Sequence, residues 1–157
     1  MTLADLRRKP IVSIGDGVKV GEVDDFVVDP SQWSVRDIYV HARTGEGLLP
    51  WVHIRNIGPD AITVDSAQAI EWAVPPTALR FTKLADLTVV DGSGTVIGHI
   101  AEMSYDTSGR IEWLEVHRGG VLGLGVHVTR ITPAEIRGVG DRLVTVELAV
   151  AGEAVEQ

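Results

Sequence analysis

The sequence predicts an all-β chain made of two small antiparallel barrels in tandem, related by internal duplication and joined by short helical connectors. Three observations carry this expectation. Landmarks recur in order: Gly17-Val-Lys-Val-Gly21 returns as Gly94-Thr-Val-Ile-Gly98, Asp29 as Asp106, and Ile38-Tyr-Val-His41 as Leu114-Glu-Val-His117. Val52-His-Ile with Ile57 and Pro59 reads as returning in Val126-His-Val with Ile131 and Pro133. The offset is 77 residues at Gly17 and Gly94, 76 at His41 and His117, and 74 at His53 and His127, which implies only small loop changes between the copies. Short runs in which apolar residues alternate with charged ones, bounded by turn residues, then point to strands.

Within each copy the elements follow from local chemistry. Thr2 is a candidate cap for a helical turn that Pro10 ends. Ile11 to Ile14 reads as a strand ending in the Gly15-Asp-Gly turn. From Val18 to Asp29 the alternation slips near Gly21 and Asp24-Asp25, and Ile97, Ile100, Met103 and Tyr105 show the same slip, so a bulge is expected in both copies. Asp29-Pro-Ser-Gln and Asp106-Thr-Ser-Gly carry turn chemistry. Val35 to Arg43 and Arg110 to His117 alternate as strands. Leu48 to Ile54 and Ala61 to Val64 should follow in the first copy, with Leu87 to Val90, Val121 to Thr129 and Leu143 to Leu148 in the second. Gln68 to Trp72 reads as a short helix before Pro75-Pro76, and Thr132-Pro-Ala-Glu as a capped helical turn. The expected organisation is a first barrel over 1–66, a linker over 67–80, a second barrel over 81–149 and a frayed tail over 150–157.

Composition narrows the function. A barrel of roughly 70 residues buries only about 60% of its unfolded surface, so the two should pack together, dimerise, or both. The net charge of −8 argues against a phosphate-binding surface, and no direct DNA binding is expected. With no cysteine, thiolate chemistry, disulfides and cysteine-ligated zinc are excluded. No apolar run is long enough to insert in a membrane, and the charged start MTLADLRRKP does not read as a signal peptide, so a cytoplasmic protein is expected.

The order of motifs resembles the PRC-barrel family, which takes its name from the cytoplasmic domain of the photosynthetic reaction centre H subunit. The family also includes the C-terminal domain of RimM-type ribosome maturation factors. Its Gly-x-x-Ile/Val-Gly hairpin, running into an apolar strand that ends at Asp, is matched twice, at Gly17 to Asp29 and at Gly94 to Asp106. Gly119-Gly-Val-Leu-Gly-Leu-Gly125 is similar to a double-glycine loop of the family, and Leu49-Pro-Trp51 to a Pro-Trp element. The resemblance implies a non-catalytic module that docks on other proteins or on itself, with no transferable active-site residues and no cofactor. A ribosome- or RNA-processing-associated factor is the alternative that the family permits, against which the acidity counts. A metal-dependent or hydrolytic enzyme is the other alternative, and it would need converging histidines or carboxylates in a cleft. His-x-His and His-x3-His spacings are absent, so no metal ligand and no catalytic residue is assigned.

Strand alternation places Ile38, Val40, Leu114 and Val116 in the cores, and turns Tyr39, His41, Trp113, Glu115 and His117 outward. Outward Trp and Tyr suggest an interaction surface for a protein partner or a homodimer, unless the same rings are covered by the linker or the other barrel. Gly21 and Gly98 are expected to be structural, at the bulge.

Overall fold

The computed structural model describes residues 1–75, 77–119 and 125–149. It forms two six-stranded sheets and divides into two compact units, Met1–Thr82 with Tyr105–Arg110, and Lys83–Ser104 with Ile111–Gln157. The first sheet comprises β1 (Pro10–Ser13), β2 (Val18–Asp29), β3 (Ser34–Ala42), β4 (Gly45–Pro50), β5 (Ile54–Ile57) and β6 (Ile62–Val64). One short helix, α1 (Phe81–Ala85), precedes the second set. That set is β7 (Thr88–Asp91), β8 (Val96–Tyr105), β9 (Ile111–Gly119), β10 (Val126–Ile131), β11 (Ile136–Val139) and β12 (Leu143–Val146). Strand order is β4-β3-β2-β1-β6-β5 in one sheet and β10-β9-β8-β7-β12-β11 in the other, so the duplication extends to topology.

The pairings correct two expectations. The sheets are mixed: β1 runs parallel to β6 and β7 parallel to β12, while the remaining described ladders are antiparallel. The match between His53 and His127 also fails. His53 lies in a 3-10 turn, Trp51–His53, whereas His127 lies in β10, the strand that holds the place of β4. Leu48 to Ile54 is accordingly not one strand, because β4 ends at Pro50. Gln68 to Trp72 is helical only over a 3-10 turn at Ala67–Ala69, which Ser66 caps by accepting from Gln68 N–H. The turns at Leu3–Asp5 and Pro133–Glu135 form as expected, with Asp5 and Glu135 each accepting from the backbone N–H of the preceding cap threonine. Most of the Gly119 to Gly125 loop, and residues 150–157, lie outside the described residues.

Equivalent positions build equivalent cores. Leu6, Ile11, Val23, Phe26, Ile38, Val40, Leu49, Ile62 and Val64 are buried in the first unit. Leu84, Val89, Ile100, Met103, Leu114, Val116, Ile131, Val144 and Val146 are buried at the corresponding positions of the second, Leu84 in α1 and the others in strands. Cross-strand pairs such as Ile38–Leu49 and Leu114–Ile131 stack these side chains on one face of each sheet. In the first unit Trp51 and Tyr105 add an edge-on ring contact with centroids 5.3 Å apart.

The bulge is where the sequence places it. Pairing slips between Ile11–Gly21 and Val12–Lys19, and between Val89–Gly98 and Val90–Val96. A second slip, between Val23–Val40 and Asp25–Tyr39, follows three residues later in β2. At Gly98 the backbone adopts φ +140°, and a Cβ there would stand 2.2 Å from the His117 carbonyl oxygen. At Gly21 a Cβ would meet Val40 Cγ1 at 2.6 Å and the His41 carbonyl oxygen at 2.8 Å. Glycine is therefore required at both, for backbone conformation as well as space at Gly98 and for space at Gly21. Gly21→Val should cost about 1–3 kcal/mol, and Gly98→Val should cost more, because it adds backbone strain to the clash. Chemical denaturation checks this, and unchanged midpoints for both variants would contradict the bulge assignment.

Candidate interaction surface on the outer strands

The outward face of β3 is not a free surface. Tyr39, expected to face solvent, is 7% exposed and packs with Val27 and Leu48, against which Val74 and Ala78 are laid. The Arg80 guanidinium stacks 4.0 Å above the Tyr39 ring, and the Tyr39 hydroxyl donates to Glu46 at 3.1 Å. Arg80 is itself fixed by Asp25, whose buried carboxylate accepts from Arg80 Nε (3.0 Å), Thr82 Oγ1 (2.6 Å) and Phe26 N–H (2.8 Å). Glu71 pairs with β4 through two backbone bonds to Leu48, of 2.7 and 2.8 Å. Glu71, with Val74, Ala78 and Arg80, thus covers both the edge and the outer face of this sheet.

In the second unit the positions of Val27, Tyr39 and Leu48 are held by Ser104, Glu115 and Arg130. An apolar patch has become a set of polar side chains, of which Ser104 is buried and Glu115 half-buried. Ser104 Oγ donates to Glu112 (3.0 Å), and Glu115 Oε1 lies 2.7 Å from His117 Nε2 and Oε2 3.6 Å from Arg130 Nη2. The hydrogen bond from the neighbouring His117, reinforced by Arg130, holds the Glu115 carboxyl below the usual carboxylate range. Arg130 also lies 3.7 Å above the half-buried Trp113 ring. Trp113, Glu115 and His117 therefore form one connected array, as the strand alternation places them. His41 is exposed at the far end of β3.

The residues that sequence reading missed are Arg130, which joins the array, and Val126 and Val128, each about half exposed on the same face. The signal existed in the spacing of Val126, Val128 and Arg130, but the register of β10 on β9 was needed to read it. β10 is the outer strand of its sheet. Arg130 opposes Glu115 as Leu48 opposes Tyr39, so the N–H and C=O groups of Arg130, Val128 and Val126 point to the outer edge. Among the described residues nothing pairs with that edge.

The candidate carboxylates have structural partners: Glu22 takes Lys19 at 2.7 Å, and Asp106 accepts from Ser108 and Arg110 N–H groups in its turn. Among the described residues no three His, Asp or Glu side chains converge as metal ligands do. No described helix is long and apolar enough to cross a membrane.

Two tyrosines are present, and both titrate upward: burial raises Tyr39, aided by the bond to Glu46, and burial pushes Tyr105 up to about 12. Their folded pKa values exceed the unfolded value of about 10, so their stabilising contribution is complete below pH ~10 and is lost as pH rises toward 12. Ultraviolet titration should show no tyrosinate in the folded protein until the pH passes about 10, and its appearance should accompany unfolding. A tyrosinate midpoint at or below about 10 with the fold intact would contradict the burial of these rings.

The sequence profile of the PRC-barrel domain matches residues 1–69 and again residues 76–149. A comparison with curated proteins finds no match. The two matches coincide with the repeated strand order, bulge and core just described. The chain belongs to the PRC-barrel family, as a tandem pair of its domains.

Proposed function

We propose that the chain is a non-catalytic protein-binding adaptor whose docking element is the outer edge of β10, where an extended segment of a partner protein adds as a strand. The edge, unpaired among the described residues and with Val126 and Val128 half exposed beside it, carries this reading. Exposed edges with apolar side chains are the templates for strand addition, and soluble proteins otherwise cover or charge them. The chain supplies a local precedent, since β4 at the same place in the first sheet takes Glu71 in an antiparallel bridge at Leu48. Arg118, His127 and Arg130 lie along β9 and β10, so an acidic and apolar segment is the complementary partner.

A photo-reactive residue at position 126 should crosslink a discrete protein in cells, while one at exposed Val18 should not. Val128→Pro removes an outward N–H without breaking a ladder bond and should abolish the adduct. An adduct containing the chain itself would identify the partner as a second copy. An adduct indifferent to Val128→Pro, or equal yields from positions 18 and 126, would overturn the reading.

A further inference from the structure

A separate feature of the first unit points to a small ligand. An open cleft of about 730 Å³ lies between the start of β2, the β3–β4 turn and Trp72, lined among others by Lys19, Glu22, His41, Arg43 and Thr44. Its size falls within the roughly 300–1,000 Å³ typical of small-molecule sites. Trp72 is 45% exposed and presents its ring as one wall.

The charges are unevenly partnered. Glu22 is the one carboxylate of the lining, and Lys19 Nζ neutralises it at 2.7 Å. Arg43 is exposed and makes no side-chain hydrogen bond or ion pair among the described residues. His41 is likewise without a hydrogen-bond partner, and the duplication explains why. Its counterpart His117 lies against Glu115, but the position of Glu115 is taken in the first unit by Tyr39, which is turned into the covered patch. The cleft thus carries an exposed guanidinium with no carboxylate partner among the described residues, and an imidazole that has only the Lys19-paired Glu22 opposite it, beside Trp72, in a chain whose net charge is −8.

We propose that this cleft binds a small planar anion, its carboxylate or phosphate held by Arg43 with His41 and its ring laid on Trp72. Guanidinium is suited to both anions through paired N–H donors, and indole offers a stacking face. This site is distinct from the β10 edge and does not depend on the docking reading.

The test is titration of the whole chain with benzoate, AMP, inorganic phosphate and cyclohexanecarboxylate, followed by NMR of the Trp72 indole N–H and the His41 ring. Benzoate or AMP should shift both signals saturably, and the tighter of the two identifies the anion. Phosphate and cyclohexanecarboxylate should each bind at least about tenfold more weakly, since each lacks the flat ring. Arg43→Gln, at an exposed turn, should weaken binding about tenfold, the loss expected for one charge-assisted hydrogen bond. Trp72→Leu should remove the preference for aromatic over saturated acids. No saturable shift at millimolar concentrations, equal binding of phosphate and AMP, or an Arg43→Gln chain that binds as well as the parent would each overturn the proposal.

Discussion

The close backbone approach at Gly21 and Gly98 sets the register on which both sheets depend. One residue without a side chain lets β2 and β8 slip by one position against β1 and β7, and so turns the following residues to the side where the core lies. Beyond the slip, Val23 and Phe26 fall into the interior opposite Val40 and Ile38, and Ile100 and Met103 are buried likewise. Any side chain at Gly98 would meet the His117 carbonyl, so the bulge and the pairing of β8 are inseparable.

Given that shared interior, the copies diverge on the outside. The first keeps Val27, Tyr39 and Leu48, an apolar patch that water would penalise, and covers it with Val74, Ala78 and the stem and guanidinium of Arg80. Asp25 anchors the far end of the cover as a buried acceptor of three bonds. The second replaces the same three positions with Ser104, Glu115 and Arg130, which are bonded to one another or to their neighbours. Among the described residues the edge of β4 is occupied and the edge of β10 is not, so one repeated fold carries two different outer strands.

Much of this was legible in the sequence. The paired glycine hairpins, the Asp-centred turns and the break in alternation after Gly21 gave the strands, the bulge and the duplication. The direction of β1 against β6 was not legible, because periodicity reports which face is buried and not which way the neighbour runs. The Val-His strings at Val52 and Val126 misled because the longer β9–β10 connection raises the true offset to 82 at Leu49 and Ile131, leaving the resemblance of those strings accidental. Tyr39 was read as outward from alternation that is correct for a sheet with one covered face. The sequence signal for a second cover was the apolar spacing of Trp72, Val74, Ala78 and Leu79 around Pro75, in a stretch whose prolines read as a spacer. Trp113, Glu115 and His117 lie on a single strand, so alternation alone puts them on one face.

Among the described residues equivalent outer strands end differently, β4 paired and β10 unpaired. Residue-resolved amide hydrogen exchange compares them directly. The Leu48 amide, bonded to Glu71 at 2.7 Å, should be strongly protected, and the outward amides of Val128 and Arg130 should exchange near the rate of an open chain. Protection at Val128 and Arg130 equal to that at Leu48 would contradict the account.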